Sequence, residues 1–365
     1  MASYDPFTRG THPVGVRSET WLDAERNREL SVEIWYPATD KYAGADVDPA
    51  RQDTYQGVWT TGETSEPPMM KQAAVRDAEP AALPGKFVLL SHGYAGHRRE
   101  ASYLCTHLAS HGYVVASADH LGSTSWEIDA RMNSGEPVDM AVLRHQLGVD
   151  RLGDVPFLVA EATRRKYASD GPVGVVGISL GGFTAMIAPA VEPRVKATIP
   201  LCPAGGPSPI YPRDNEFSRL ITFAWPDDTS CLQGVADRDS WLPLYGQLDM
   251  FSRIKNKKRM VILQNADHNH FCDDLDIAHS WFKDLTLANA DFMGTEETDW
   301  PAIARAIRPL EELTPAAPTY ELWRGVCVAH LDAVLGGSSD AARLLDGDLT
   351  SVAASFGARI VTFSG

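Results

Sequence analysis

The sequence predicts an α/β fold with a doubly wound, mainly parallel sheet and helices on both faces. Short β-branched and apolar runs recur along the chain, and helical patterns separate many of them. Several of these runs end in loops that carry Gly, Asp, Asn or His, as at the carboxyl edge of a parallel sheet. With 365 residues, 44% of them hydrophobic and 22% charged, the chain has the size of one large domain (1–365) with insertions.

The first part of the chain begins with a hairpin and continues with alternating strands and helices. Residues 12–37 hold two apolar-alternating segments around a charged turn, which predicts a hairpin at the sheet edge. Residues 38–80 are polar and irregular, so we expect an insertion that covers one end of the sheet. Strands are predicted at 87–90 and 113–118, with a helix at 101–110 between them.

The middle of the chain contains the sharpest strand–turn–helix unit. Residues 123–145 are polar and irregular and form a second expected insertion, and an apolar stripe at 146–167 predicts a helix. The stretch VGVVGISLGGFTAMIAPAV at 173–191 then reads as a buried strand, a glycine-rich turn and a helix. A further buried strand is predicted at 195–201.

The last part of the chain completes the predicted sheet and adds helices. Residues 202–228 are rich in Pro and Gly and form the third expected insertion. The remaining strands are predicted at 229–235 and 259–264, and helices at 276–288 and 318–335. The helices belong to a C-terminal helical extension over about 276–365. We expect its final part, 338–365, to be a surface tail, with a packing or oligomer element as the alternative.

Charge and composition exclude several classes of partner. The net charge of −15 argues against binding to nucleic acid or to an anionic membrane, because both need a basic protein surface. No apolar run is long enough for a membrane span, and no secretory signal is visible at the N-terminus. The five cysteines lack CxxC spacing and are expected to be reduced thiols of a cytoplasmic protein without a metal site.

Ser179 is the strongest candidate for a reactive side chain. It lies at the centre of Gly-x-Ser-x-Gly, between a predicted strand and a predicted helix. A sharp turn at this point requires small neighbours, which Gly177 and Gly181 supply. The start of the following helix offers backbone N–H groups to a developing negative charge, so the pattern predicts a nucleophilic serine.

Two backbone N–H groups are candidates for binding that negative charge. One belongs to Leu180, directly after the serine. The other belongs to Tyr94, which follows His92 and Gly93 at the end of the strand predicted at 87–90. We expect His92 itself to pack beneath this loop and to have a structural role.

A serine nucleophile needs a histidine base that a carboxylate orients, and both are expected on later strand-end loops. The loop after the strand at 229–235 offers Asp239, which we favour, and Asp237. The loop after the strand at 259–264 offers His268, which we favour, and His270. A metal site built from these histidines and the following aspartates lacks the spacing of a known site. Trp126 and Trp241 are candidates for the wall of a substrate pocket.

The sequence resembles the platelet-activating-factor-acetylhydrolase-like, dienelactone-hydrolase-related branch of the α/β-hydrolases. The resemblance extends over roughly 12–336 and is carried by PVGVRS, VEIWYPA, SHGYAGHRRE, LCTHLASHGYVV, GISLGG, ADRDSWLP and ADHNHF. Gly-x-Ser-x-Gly and the His-Gly loop are typical of the superfamily, whereas WYPA and SHGYAGHRR point to the branch. A second histidine beside His268 and the lack of a visible secretion signal depart from many members of the branch.

The resemblance implies a serine hydrolase that cleaves carboxylic esters with short or modified acyl groups, without a cofactor, through an acyl-enzyme. The implied substrate is a small-molecule or lipid-like ester. By position, Ser179 is the nucleophile, Asp239 the acid and His268 the base, with oxyanion N–H groups from Tyr94 and Leu180. Hydrolysis of amides or thioesters, acyl transfer, and a non-catalytic binding role on the same fold remain open alternatives.

Overall fold

A ten-stranded sheet organises the molecule. The computed structural model describes residues 4–59, 66–81, 83–136, 138–292 and 298–365. The strands are β1 (Val14–Asp23), β2 (Arg28–Pro37), β3 (Asp53–Gln56), β4 (Met69–Gln72), β5 (Val75–Arg76), β6 (Gly85–Ser91), β7 (Tyr113–Ala118), β8 (Ala168–Ile178), β9 (Val195–Leu201), β10 (Ser230–Ala236), β11 (Lys257–Leu263) and β12 (Ile360–Ser364). Ten of them form one sheet in the order β12-β11-β10-β9-β8-β6-β7-β2-β1-β5, while β3 and β4 pair separately.

The central strands of this sheet run parallel, as the sequence predicts. β6 pairs in parallel with β7 and β8, and β8, β9, β10 and β11 continue the parallel set. The hairpin of β1 and β2 is antiparallel and joins the sheet through β7. The β-branched runs explain this arrangement, because strands covered on both faces need apolar side chains at nearly every position.

Helices cover both faces of the sheet. They are α1 (Ser102–Ser110), α2 (Ser125–Ser134), α3 (Met140–Arg164), α4 (Leu180–Val191), α5 (Glu216–Leu220), α6 (Leu244–Arg253), α7 (Leu275–Phe292), α8 (Trp300–Ala306), α9 (Ala316–Leu335), α10 (Ser339–Asp346) and α11 (Leu349–Ser355). Helices α1 and α9 share one apolar core with the sheet, and α3 and α4 share the core on the opposite side. The fold is therefore doubly wound, as expected.

The C-terminal residues differ from the expected surface tail. After α10 and α11, β12 pairs antiparallel with β11 and becomes the edge strand of the main sheet. Ile360 is buried at 4% exposure, which ties this strand to the core beneath it. The pairing was missed because β12 is only five residues long, and the partner that stabilises it is distant in sequence.

The segments expected to be irregular contain regular structure. Residues 38–80 hold β3, β4 and β5, and β5 adds to the sheet edge beside β1. Residues 123–145 hold α2 and the start of α3. Thr124 and Glu127 form a capping box at the N-terminus of α2, and Asp139 caps the N-terminus of α3. Helix α2 buries only Ser125 and Ile128, so it has no apolar stripe that a sequence pattern reveals. Among the described residues, none of the helices is both long and apolar enough to cross a membrane.

Candidate active site

Ser179 sits on the sharp turn between β8 and α4. Its backbone adopts φ 56° and ψ −111°, a strained conformation for a residue with a side chain. A Cβ at Gly177 would lie 1.9 Å from the carbonyl oxygen of Gly181, and a Cβ at Gly181 would lie 1.8 Å from that of Ser91. Only glycine fits at both positions, so the local sequence dictates the turn that presents the serine.

Ser179, His268 and Asp239 form one hydrogen-bonded chain. Nε2 of His268 lies 3.0 Å from Oγ of Ser179, and Nδ1 of His268 lies 2.8 Å from Oδ2 of Asp239. The other carboxylate oxygen of Asp239 accepts hydrogen bonds from the backbone N–H groups of Trp241 (3.0 Å) and Leu242 (2.7 Å). These backbone bonds hold the carboxylate in place, so Asp239 orients the imidazole ring of His268.

The imidazole of His268 is buried beside the carboxylate and against an aromatic ring. The ring of Phe282 stacks on it, with centroids 5.2 Å apart and an interplanar angle of 21°. Burial by itself lowers the pKa of His268, but the negative charge of Asp239 outweighs it, and the net pKa lies well above the ordinary value of 6.5. The Asp239 carboxylate therefore makes the imidazole a stronger base.

The two competing residues on the same loops have other partners. Nε2 of His270 lies 3.0 Å from the carbonyl oxygen of Thr314, and its Nδ1 accepts the backbone N–H of Asp267. Asp237 accepts the backbone N–H of Ala266. These contacts make His270 and Asp237 part of the loop scaffold, and the structure brings neither of them to Ser179.

The loop after β6 lies directly against the serine. A Cβ on Gly93 would lie 3.4 Å from Cβ of Ser179, so the next residue, Tyr94, borders the site. Leu180 is the first residue of α4, which leaves its N–H without an intrahelical acceptor. Among the described residues, the N–H of Tyr94 also has no hydrogen-bond acceptor. Two backbone donors are thus free beside Ser179.

Glu100 holds this loop from below, and sequence reasoning did not find it. Both of its carboxylate oxygens accept the N–H of Gly93, at 3.2 and 3.0 Å. The side chain is buried, and burial raises the pKa of Glu100 to about 7, although the Gly93 N–H and the nearby Arg151 partly oppose the shift. The only signal in the sequence was a lone acidic residue at the start of a helix, which usually means a solvated cap.

Two cavities meet at Ser179. The Leu180 cavity measures about 460 Å³ and is lined by Tyr94, Met140, Arg144, Leu147, Ser179, Leu180, Ala204, Ile210, Tyr211, Phe217, Trp241 and Leu242. The His268 cavity measures about 380 Å³ and is lined by Trp59, Gly93, Tyr94, Glu100, Ile178, Ser179, Trp241, His268, Asn269, Cys272, Trp281, Phe282 and Leu285.

The two tryptophans suggested by the sequence have different positions. Trp241 lines both cavities and is buried, whereas Trp126 is 46% exposed and lines neither. Trp126 belongs to α2, whose polar faces leave it at the surface. A larger cavity of about 780 Å³ lies beside β10, β11 and β12, and contains none of the candidate residues.

A second Ser–His–Asp chain lies beneath the site. Nε2 of His120 is 3.0 Å from Oγ of Ser91, and Nδ1 of His120 is 2.8 Å from Asp154. All three side chains are fully buried, and Nη1 of Arg151 donates to Oγ of Ser91 at 2.7 Å. None of these residues lines a described cavity at Ser179. These side chains therefore form a polar network that supports the loops above them.

One group of side chains has the composition of a metal site. Atoms of Cys202, Asp239 and His268 that are able to bind a metal lie within 4.8 Å of one another. Burial raises the pKa of the Cys202 thiol, which disfavours the thiolate form that a metal would require. Asp239 and His268 are also hydrogen-bonded to each other, so the chemistry of the group fits a hydrogen-bonded chain better than a ligand set.

The sheet order, the covering helices and the serine turn define an α/β-hydrolase fold. Comparison with known proteins agrees. The family model described as "Serine aminopeptidase, S33" matches residues 83–227, and "Platelet-activating factor acetylhydrolase, isoform II" matches residues 5–133. A ferulic acid esterase from Streptomyces cinnamoneus has a similar structure, with a TM-score of 0.60 and 22% identity over 95% of this chain and 96% of that chain. No curated protein matches the sequence significantly.

The family matches, each over less than half of the chain, and the fold together support an α/β-hydrolase similar to the platelet-activating-factor-acetylhydrolase-like branch. The chain is a serine ester hydrolase. The likeness to the ferulic acid esterase shows the fold alone.

Proposed function

We propose that the chain hydrolyses carboxylic esters with Ser179 as nucleophile, His268 as base and Asp239 as the acid that orients the base. One observation supports this proposal more strongly than the others. The hydrogen-bonded chain from Asp239 through His268 to Ser179 ends beside two free backbone N–H groups. A nucleophile, its base and a site for negative charge are the parts that acyl transfer through serine requires.

In the first half of the reaction, Oγ of Ser179 attacks the ester carbonyl carbon while Nε2 of His268 takes its proton. The carbonyl oxygen becomes negative and receives hydrogen bonds from the N–H groups of Tyr94 and Leu180. Nε2 then gives the proton to the ester oxygen, the C–O bond breaks and the alcohol departs. An acyl group remains bound to Ser179.

In the second half, a water molecule replaces the alcohol. His268 takes a proton from the water, and the hydroxide equivalent attacks the acyl carbon. The bond to Ser179 breaks, the proton returns to its Oγ, and the acid is released. These steps use side chains of the protein, two backbone N–H groups and water.

The size of the cavities indicates the class of ester. Both cavities at Ser179 are small and largely apolar. The description of one matched family, an acetylhydrolase, also refers to a short acyl group. We therefore propose small esters with short or modified acyl groups as substrates.

The test is hydrolysis of p-nitrophenyl esters, acetyl through dodecanoyl, by the wild type and by Ser179→Ala. We expect activity in the wild type and a loss of several orders of magnitude in the variant. A fluorophosphonate should label the wild type on the peptide that contains Ser179, and mass spectrometry identifies that peptide. Ser91→Ala is the matched control because Ser91 also contacts a histidine, and it should keep the label.

Three results would overturn the proposal. Equal activity of the wild type and Ser179→Ala would remove Ser179 as nucleophile. Wild-type labelling on Ser179 with no activity on any ester would leave the nucleophile but favour amides, thioesters or acyl transfer, and p-nitroanilides would be tested next. An absence of both labelling and activity would favour a binding protein on this fold.

A further inference from the structure

We propose that the two cavities divide the substrate, with the alcohol half in the His268 cavity and the acyl half in the Leu180 cavity. We further propose that the His268 cavity selects a flat aromatic alcohol, such as a benzylic one. This inference rests on the proposed function, because it assumes that Ser179 attacks an ester at the meeting point of the cavities.

The division follows from where the proton must go. The ester oxygen that leaves has to reach Nε2 of His268, so the alcohol it carries lies on the histidine side of Ser179. His268 lines one of the two cavities and is absent from the other. With the carbonyl oxygen held by Tyr94 and Leu180, the remaining substituent, the acyl chain, points into the Leu180 cavity.

The walls of the His268 cavity are aromatic, beginning at the imidazole ring of His268 and continuing outward. Phe282 stacks on His268, and its ring centroid lies 5.0 Å from that of Trp241. Farther along, Trp59 and Trp281 stack on each other, with centroids 5.3 Å apart and an interplanar angle of 27°. A flat ring makes offset or edge contacts with such walls that a puckered ring of the same size does not make.

Hydrogen bonds fix two of these rings in advance. Nε1 of Trp241 donates to Oγ1 of Thr286 at 2.9 Å, and Nε1 of Trp59 donates to the carbonyl oxygen of Ala95 at 3.4 Å. The second bond also ties the 38–80 segment to the loop that carries Tyr94. Rings that are already ordered lose little entropy when a ligand binds, which favours selection by shape.

Three polar side chains of the His268 cavity are already engaged, whereas the buried hydroxyl of Tyr94 has no hydrogen-bond partner among the described residues. Glu100 accepts the N–H of Gly93, the thiol of Cys272 donates to Glu100 at 3.7 Å, and Asn269 donates to the carbonyl oxygen of Ala278. A polyhydroxy alcohol such as a sugar would bury several hydroxyl groups here with the Tyr94 hydroxyl as the one buried unpaired side-chain group among the described lining residues, and each hydroxyl left unpaired costs free energy. An apolar aromatic alcohol has no such penalty.

The Leu180 cavity has a different character. Its wall is mixed: the aliphatic side chains of Met140, Leu147, Ile210 and Leu242 lie beside the aromatic rings of Tyr94, Tyr211, Phe217 and Trp241. A mixed wall accepts flexible or puckered chains as well as flat ones, so we expect weaker discrimination here than in the His268 cavity.

Two pairs of esters test the division. Benzyl acetate and cyclohexylmethyl acetate differ only in the flatness of the alcohol half, and their alcohols are similar leaving groups. Ethyl phenylacetate and ethyl cyclohexylacetate place the same difference in the acyl half. For the wild type we expect kcat/KM to favour the benzyl ester by about threefold to tenfold, the range that specific aromatic contacts supply. The kcat/KM values of the two acyl-half esters should differ by less than about twofold.

Variants on each side make the test specific. Trp281→Leu should reduce the benzyl preference to near one, while Trp281→Phe should retain part of it. Phe217→Leu, in the Leu180 cavity, is the matched control and should leave the benzyl preference unchanged. Circular dichroism and thermal unfolding establish that each variant folds, and the wild-type ratios remain informative if one does not.

The outcomes separate this inference from the proposed function. An active wild type with no benzyl preference overturns the aromatic selection. The wild type could instead prefer the flat ring in the acyl pair and lose that preference in Trp281→Leu. This result would reverse the assignment of the two cavities and would also overturn the inference. In both cases loss of activity in Ser179→Ala still supports the proposed function. Failure of the proposed function would appear instead as equal activity of Ser179→Ala and the wild type.

Discussion

Substituting Arg151 by methionine removes a buried guanidinium from beneath the candidate site. The side chain is 1% exposed. Nη1 donates to Oγ of Ser91 at 2.7 Å and to the carbonyl oxygen of His92 at 3.0 Å, and Nη2 donates to Oγ of Ser123 at 2.8 Å. Methionine has a similar length but no donor, so the variant leaves these buried acceptors without their charged partner.

The geometry gives the size of the effect. A buried acceptor left unpaired costs about 1 to 3 kcal/mol, and removal of one member of a buried ionic network costs about 3 to 5 kcal/mol. The charge of Asp154 keeps three partners, Arg26 at 2.8 Å, Arg28 at 3.1 Å and His120 at 2.8 Å, which limits the loss. We therefore expect Arg151→Met to lower the free energy of unfolding by about 3 to 5 kcal/mol.

Urea unfolding followed by circular dichroism measures this loss. Arg164→Met is the matched control, because Arg164 ends the same helix but is 67% exposed and pairs with Glu161 at the surface. Exposed pairs contribute about 0 to 1 kcal/mol, so the control should change stability by no more than that. A loss below about 1 kcal/mol in Arg151→Met, or equal losses in both variants, would refute the reasoning about the buried network.

Three further predictions concern ionisable groups at the site. Asp239→Asn should lower kcat/KM by up to about 10⁴-fold, because the amide no longer holds the imidazole in the required tautomer; a loss below about tenfold contradicts the proposed role. In the wild type, kcat/KM should rise with pH through a midpoint above 6.5, because His268 accepts a proton only when neutral and its pKa is raised; a midpoint below 6.5 contradicts this. Burial raises the pKa of Glu100 from 4.5 to about 7, so the folded state holds a proton that the unfolded state releases across this interval. The contribution of Glu100 to stability should therefore fall by about 3 kcal/mol as pH rises through the interval. Urea unfolding of Glu100→Gln should lack this decrease, and parallel pH dependences of the two proteins would contradict it.

Much of the fold could be predicted from the sequence because local residue patterns specify its strands. The buried strands at 113–118 and 195–201 have the predicted bounds, since apolar β-branched runs between turn residues leave little choice of structure. The turn at Ser179 was equally local, because glycines on both sides permit a backbone that other residues would block. Chain order then pointed to the two later strand-end loops, where the sequence favoured Asp239 over Asp237 and His268 over His270.

The choice among neighbouring side chains needed the tertiary structure. The sequence favours His268 over His270 but does not fix which ring faces Ser179, because two positions along an irregular loop have no fixed periodicity. The structure places His268 3.0 Å from Ser179 and turns His270 toward Thr314. In the same way, the distant residues Trp281 and Phe282 line a cavity at the site, whereas Trp126 lies at the surface.

Buried polar groups were the features least accessible to sequence reasoning. Glu100 and Arg151 belong to residue types that are usually exposed, so their composition and spacing indicate solvated helix faces. Their burial arises because folding brings hydrogen-bonding groups to them: the N–H of the nearby loop residue Gly93 to Glu100, and the hydroxyl of the distant Ser91 to Arg151. Local sequence determined the strands and the serine turn through steric limits on the backbone. Tertiary structure decided which charges are buried, since only packing supplies the partners that make such burial possible.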